Sequence, residues 1–155
     1  MAQRSRLSTT LSGVSGEYFV AAELSRRGYV ASLTLRNTRG IDVLVSNADA
    51  TKSVAIQVKT KQGRGADWML NRNVETNVAE NLFFVFVVLN DLGAPEYYVV
   101  PKDEVAQFVR DNHAVWLKTP GRRGQAHVDT PMRKFSDATG RYRNRWDLLG
   151  LEPAG

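Results

Sequence analysis

The chain of 155 residues contains no cysteine. Disulfide bridges and thiolate metal sites are therefore excluded, and the cytoplasm is the expected compartment. Long hydrophobic runs are also missing, since none approaches the roughly 18 apolar residues that a membrane span requires, and we expect no membrane partner. The two histidines have neither a paired spacing nor a cysteine partner, so the sequence does not indicate a zinc site.

The length and the overall composition are those of one folded domain. Hydrophobic residues make up 43% of the chain and charged residues 24%, which is typical of globular proteins. We expect a polar N-terminal arm over residues 1–12, a folded core over residues 13–117, and a basic C-terminal segment over residues 118–155 that packs partly on the core.

Positive charge is concentrated near the C-terminus. The net charge is +5, but residues 118–145 alone carry eight lysines and arginines against two acids, so the rest of the chain is close to neutral. Such a stretch suits the phosphates of nucleic acid. The candidate nucleic-acid-binding residues are Arg122, Arg123, Arg133, Lys134, Arg141, Arg143 and Arg145.

Three aromatic residues lie among these cations, namely Phe135, Tyr142 and Trp146. Aromatic rings can stack on the bases of a nucleic acid. They can equally dock a solvated segment onto a hydrophobic core. The sequence leaves both interpretations open.

The first element is predicted to be a helix from about Gly13 to Arg27, ended by Gly28. Helical periodicity places Glu17 on the same arc as several apolar residues, Leu11, Val14, Tyr18, Ala21, Ala22 and Leu24. A carboxylate on a core-facing side is costly unless it is paired, hydrogen-bonded or bound to a metal. Glu17 is therefore a candidate site residue, and the alternative is an ion pair with a lysine or arginine.

Two β-branched segments, 41–45 and 53–59, are predicted to form an antiparallel hairpin. If Val45 lies opposite Val54, then Val43 lies opposite Ile56 on the same face. This register would place Asp42 directly opposite Gln57 on the other face, with Lys59 two residues further along the strand.

The remainder of the core predicts the element order α-β-β-β-β-α. The continuous apolar run 82–89 indicates a strand that is covered on both faces, and residues 97–100 a partner strand. A helix is expected from Pro101 to about Arg110. Residues 63–81, which include Trp68, are predicted to be a loop with a short helix near 74–80, and residues 146–149 could pack back on the core.

Hydrolysis of a phosphodiester bond requires a hard cation and a positive group near the reacting oxygens. Glu17 and Asp42 offer carboxylates, Gln57 offers a neutral amide oxygen, and the backbone carbonyl of Val58 could complete a metal shell. Lys59 could orient the nucleophile and stabilise the transition state.

A helical Glu17, Asp42 within Gly40-Ile41-Asp42-Val43-Leu44-Val45, and then Gln57-Val58-Lys59 together resemble the PD-(D/E)xK nuclease superfamily. The resemblance spans about residues 13–110. It implies an α/β, restriction-endonuclease-like fold with a mixed central sheet flanked by helices, Mg²⁺ or Mn²⁺ as cofactor, and DNA as the substrate of an endonuclease.

By this resemblance Asp42 and Gln57 would bind the metal, Lys59 would be the catalytic lysine, and Glu17 the helical acid. Ile41 stands where the superfamily has proline, and Gln57 replaces the more common acid. Many members are dimers, so a homodimer is a further implication. Two alternatives stay open: a nuclease-like nucleic-acid-binding module with weak or no activity, and a protein-interaction domain.

Overall fold

The computed structural model describes residues 5–35, 40–76 and 79–152. Within these ranges the chain forms two α-helices, seven strands and two short 3₁₀ helices. The helices and strands are, in chain order, α1 (Thr9–Arg26), β1 (Val30–Leu33), β2 (Val43–Ser46), β3 (Ser53–Lys61), β4 (Asp67–Asn71), β5 (Leu82–Val88), β6 (Glu96–Pro101), α2 (Lys102–Lys118) and β7 (Met132–Ser136). The 3₁₀ helices span Arg72–Glu75 and Trp146–Leu149.

Five strands form a mixed sheet in the order β1-β2-β3-β5-β6. Only β3 and β5 run parallel; the other neighbours are antiparallel. Alternate residues of β5 enter two separate cores: Val85 packs in the cluster that includes Val20 of α1, and Phe86 in the cluster that includes Val109 of α2. The predicted mixed sheet flanked by helices is therefore confirmed, and the continuous apolar run is its covered strand.

The predicted hairpin register is confirmed within β2. Val43 pairs with Ile56 and Val45 with Val54, and all four side chains are buried. The reason is local: β-branched residues at alternate positions can bury one face of a hairpin only in this register, since a shift by one residue would expose them all.

Helix α1 differs from its prediction in both its start and its buried face. It begins at Thr9 rather than near Gly13, because the Ser8 side chain accepts a hydrogen bond from the backbone of Leu11 and caps the first turn. Its buried residues are Ser12, Gly16, Val20 and Leu24, whereas the predicted inward residues Leu11 and Tyr18 are 57% and 63% exposed. Small residues at positions 12 and 16 allow a close approach to the sheet, and an analysis based on large apolar residues overlooks them.

A second sheet, of β4 and β7, was not predicted: β4 lies in the stretch 63–81 that was predicted to be a loop, and β7 in the basic C-terminal segment. The two strands pair antiparallel, with Trp68 opposite Phe135, and both side chains are buried. Neither strand has a partner close in sequence, so local periodicity does not indicate the pair. Helix α2 is also longer than expected, because it continues beyond Arg110 to Lys118.

The aromatic residues of the C-terminal segment dock it onto the domain. Phe135 and Trp146 are 1% exposed, and Tyr142 packs against the same cluster as Phe135. Phe135 and Trp146 are therefore not available for stacking on bases, and for these two rings the docking interpretation holds. Neither helix of the described residues is long and apolar enough to cross a membrane.

Candidate active site

The candidate site begins where β2 and β3 cease to pair. The backbone N–H of Asp42 donates to the carbonyl of Ile56 over 2.8 Å, although Ile56 is already the partner of Val43. Two consecutive residues thus face one residue of β3, which is the arrangement of a β-bulge. The bulge replaces the predicted direct pair of Asp42 and Gln57.

The bulge directs the Asp42 carboxylate toward the backbone of β3. Its Oδ2 atom accepts a hydrogen bond of 2.7 Å from the N–H of Val58. This amide is the donor that a continued β2 strand would have used, so the carboxylate takes the place of a ladder bond and is held in one orientation. A hydrogen bond to a carboxylate is also stronger than one between neutral groups.

Glu17 and Asp42 line one cavity of about 270 Å³ between α1 and the start of β2. Glu17 is half-buried and follows Gly16, at which α1 lies close to Thr60 of β3. A β-carbon at Gly16 would lie 1.8 Å from the Thr60 hydroxyl oxygen. The absence of a side chain there thus lets α1 approach β3 and brings Glu17 next to Asp42.

The side chains of Gln57 and Lys59 project from the face of β3 that is opposite α1. They alternate with Ile56 and Val58, which belong to the core beneath α1. The Gln57 amide oxygen lies 4.0 Å from the position that a β-carbon would take at Gly40. Val58 and Lys59 line a second cavity, of about 1050 Å³. The structure therefore brings Glu17 and Asp42 together, with Val58 and Lys59 in the adjoining cavity, while Gln57 lines neither.

No family model and no curated protein matches this chain. Among solved structures, a bacterial homing endonuclease matches over 94% of both chains with 19% identity and a TM-score of 0.53. Hjc, a Holliday junction resolvase from the archaeal hyperthermophile Archaeoglobus fulgidus, matches over 81% of this chain and 84% of its own with 16% identity and a TM-score of 0.48. The fold is restriction-endonuclease-like.

The donors that this restriction-endonuclease-like fold assembles fit a hard divalent cation. The described residues contain no group of three or more acidic or histidine side chains that could hold a metal ion. Two carboxylates, however, do line one cavity. Mg²⁺ keeps several of its waters and is commonly held by one or two carboxylates, so this donor set is sufficient.

The basic C-terminal residues have partners that lie elsewhere in the sequence. Arg133 is 7% exposed and is bonded to Glu75 and to the carbonyl of Thr130, so it is a structural residue and we remove it from the nucleic-acid-binding set. Ion pairs also join Lys134 to Asp67, Arg141 to Glu104, Arg143 to Glu96 and Arg145 to Asp147. The charge count over residues 118–145 did not include these acids, because Asp147 lies just beyond that stretch and only the fold brings Asp67, Glu96 and Glu104 near.

Arg122 and Arg123 lie exposed in the turn after α2. In the described part of the chain no salt bridge involves either of them. Among the candidate phosphate-binding residues, these two have charges that the described fold does not compensate with a salt bridge.

Sequence analysis overlooked Arg6, Lys61 and Arg64, which line the larger cavity with Lys59. The signal for two of them was present, because Lys59, Lys61 and Arg64 follow one another closely at the end of β3. Lys61 donates to Asp67 over 2.9 Å, and this hydrogen bond lowers the pKa of Asp67. Arg6 reaches the cavity only through the tertiary fold.

Proposed function

We propose that this chain is a metal-dependent DNA endonuclease that hydrolyses phosphodiester bonds. The observation that carries the proposal is the Asp42 carboxylate, held by the Val58 amide in the same cavity as Glu17 and next to the cavity that contains Lys59. The nuclease-like fold supports it. A solved structure of similar fold is that of a bacterial homing endonuclease.

Asp42 and Glu17 would hold a divalent cation, Mg²⁺ or Mn²⁺, with the Val58 carbonyl as a neutral ligand; Gln57, which lines neither cavity, is not part of this donor set. Such a cation, when bound, polarises the phosphate and lowers the pKa of water. The Val58 amide keeps the Asp42 carboxylate in place before substrate arrives, which saves reorganisation during the reaction. The Lys59 ammonium would orient the attacking water and balance the negative charge that develops on the phosphate.

The test is cleavage of supercoiled, linear and branched DNA with Mg²⁺, Mn²⁺ or EDTA. Asp42→Asn is the informative change at the metal site, because asparagine removes the charge but keeps an oxygen that can accept from Val58. Alanine would leave that amide without its partner, at a cost of about 1–3 kcal/mol, and would confuse catalysis with stability. Lys59→Ala tests the lysine.

Matched controls come from exposed residues remote from both cavities. Asp111→Asn on α2 and Lys52→Ala in the β2–β3 loop change the net charge in the same way. We expect cleavage that requires the metal, is lost in Asp42→Asn and Lys59→Ala, and is retained in both controls. Cleavage that persists in EDTA or in Asp42→Asn would contradict the proposal.

A second candidate is a nuclease-like module that binds nucleic acid without cutting it. Gln57 favours this function, since a neutral amide in place of an acid lowers the negative charge available to a cation. Salt-sensitive DNA binding without cleavage under any metal would identify it. A protein-interaction domain would show neither property.

The exposed basic C-terminal residues remain part of the proposed DNA surface. They are Arg122, Arg123, Lys134, Arg141, Arg143 and Arg145. The homodimer implied by the superfamily resemblance also stays a prediction, and sedimentation equilibrium of the intact chain measures it directly.

A further inference from the structure

The larger cavity lies beside the candidate active site, and most of the charged residues that line it are cations. Arg6, Lys59, Lys61 and Arg64 line it, and Asp91 is the one acid among its described lining residues. The cavity follows the end of β3, where β2 no longer covers the strand edge. Four cations against one carboxylate give the cavity a positive potential.

Most of this charge is not compensated within the fold. Lys61 is paired with Asp67 of β4 at 2.9 Å. For Arg6, Lys59 and Arg64 the described residues provide no salt bridge. Arg6 and Arg64 are exposed and Lys59 is half-buried, so all three can meet an external anion.

The Gln62 side chain holds the backbone of Leu7, the residue that follows Arg6. Its amide oxygen accepts from the N–H of Leu7 over 2.8 Å, and its amide nitrogen donates to the Leu7 carbonyl over 2.9 Å. One side chain thus satisfies both backbone groups of Leu7, as a neighbouring strand would. Because Ser8 caps α1 immediately afterwards, two consecutive residues after Arg6 are held in place beside β3.

The two cavities meet at the first turns of α1. Thr9 and Gly13 line both the basic cavity and the smaller cavity of Glu17 and Asp42. A polyanion that placed one phosphate beside Asp42 could therefore continue past α1 into the basic cavity. A free phosphate ion would occupy one cavity and would not connect them.

We infer that the basic cavity binds the backbone phosphates of the DNA strand next to the phosphate that is cut, and that Gln62 is a positioning residue acting through Arg6. This inference rests on the proposed function for the identity of its ligand. It names the path of the substrate on the protein: from Asp42, past the N-terminal end of α1, to Arg64.

Binding can be measured separately from cleavage. The intact chain is titrated against a fluorescein-labelled DNA duplex in EDTA, at a series of KCl concentrations, by fluorescence anisotropy. The slope of log K against log[salt] is negative, and each lost phosphate contact should lower its magnitude by about 0.9. We expect this change in Arg6→Ala and in Arg64→Ala, and no change in Lys52→Ala, which removes the same charge outside the cavity.

A double-mutant cycle tests the role of Gln62. Gln62→Ala should reproduce the slope of Arg6→Ala, and combining the two should add nothing, because both remove the same contact. Arg6→Ala and Arg64→Ala should instead add. Arg6→Lys, which keeps the charge, should restore the slope, and thermal unfolding of each variant shows whether the fold is retained.

The outcomes separate this inference from the proposed function. Unchanged slopes in Arg6→Ala and Arg64→Ala would overturn the inference even if the protein cuts DNA. Lowered slopes in a protein that never cuts would support the DNA path and refute the nuclease. A slope that falls only in Arg122→Ala and Arg123→Ala would place the DNA on the C-terminal surface and overturn the inference.

Discussion

Replacement of Gly16 by alanine tests the contact that places Glu17 beside Asp42. A β-carbon at Gly16 would lie 1.8 Å from the hydroxyl oxygen of Thr60 and 2.9 Å from its β-carbon. The second distance matters more, because a new rotamer can move the hydroxyl but not the β-carbon. The helix itself must therefore retreat from β3.

The magnitude follows from two opposing effects. Alanine stabilises a helix interior by about 1 kcal/mol relative to glycine. Overpacking of a close contact typically costs about 1–3 kcal/mol, and the immobile β-carbon favours the upper part of that range. We expect Gly16→Ala to lower the free energy of unfolding by about 1–2 kcal/mol.

Gly13 provides the control on the same helix. A β-carbon there would meet nothing within 4 Å, so Gly13→Ala should raise stability by about 1 kcal/mol. At about 2–4 °C per kcal/mol for a chain of this size, the two variants should differ in Tm by roughly 5–10 °C. Calorimetry measures this difference, and equal Tm values would refute the close packing of α1 on β3.

Two further predictions concern the C-terminal segment. Removal of Arg133 leaves Glu75 unpaired in a largely buried site, so Arg133→Ala should cost about 3–5 kcal/mol. Arg143→Ala breaks a more exposed pair and should cost at most about 1 kcal/mol. Urea titrations of both variants measure these costs, and similar costs would contradict the distinction between a buried and an exposed ion pair. Burial, and then a hydrogen bond to Glu104, raise the pKa of Tyr142 to about 12. Since the raised pKa stabilises the fold below the unfolded value of about 10, stability should fall as the pH rises from there toward 12, less steeply in Tyr142→Phe.

Sequence patterns were sufficient wherever neighbouring residues determine the structure. Strand β5 follows from a continuous apolar run, and the pairing of Val43 with Ile56 follows from β-branched residues at alternate positions. Both signals depend on side chains that are close in the chain. The pairing of β4 with β7 depends on residues far apart in the sequence, and neither strand was predicted for that reason.

The candidate site shows the same division. The residue types of Glu17, Asp42 and Lys59 could be selected from the sequence, because carboxylates and a lysine at these positions suit phosphodiester chemistry. Their geometry could not. Perfect alternation would place Asp42 opposite Gln57, whereas the bulge turns the carboxylate toward the Val58 amide and the Glu17 cavity.

The sequence by itself thus determined the strands β2, β3, β5 and β6, the hairpin register and the chemical types of the candidate residues. Only the tertiary structure decided which of them meet. The close approach of α1 depends on the missing side chain of Gly16. The segment before α1 is held through the contact of Leu7 with Gln62, and the charge of Arg133 is neutralised by Glu75. Each is a contact between distant parts of the chain, and no local pattern of hydrophobicity or charge encodes it.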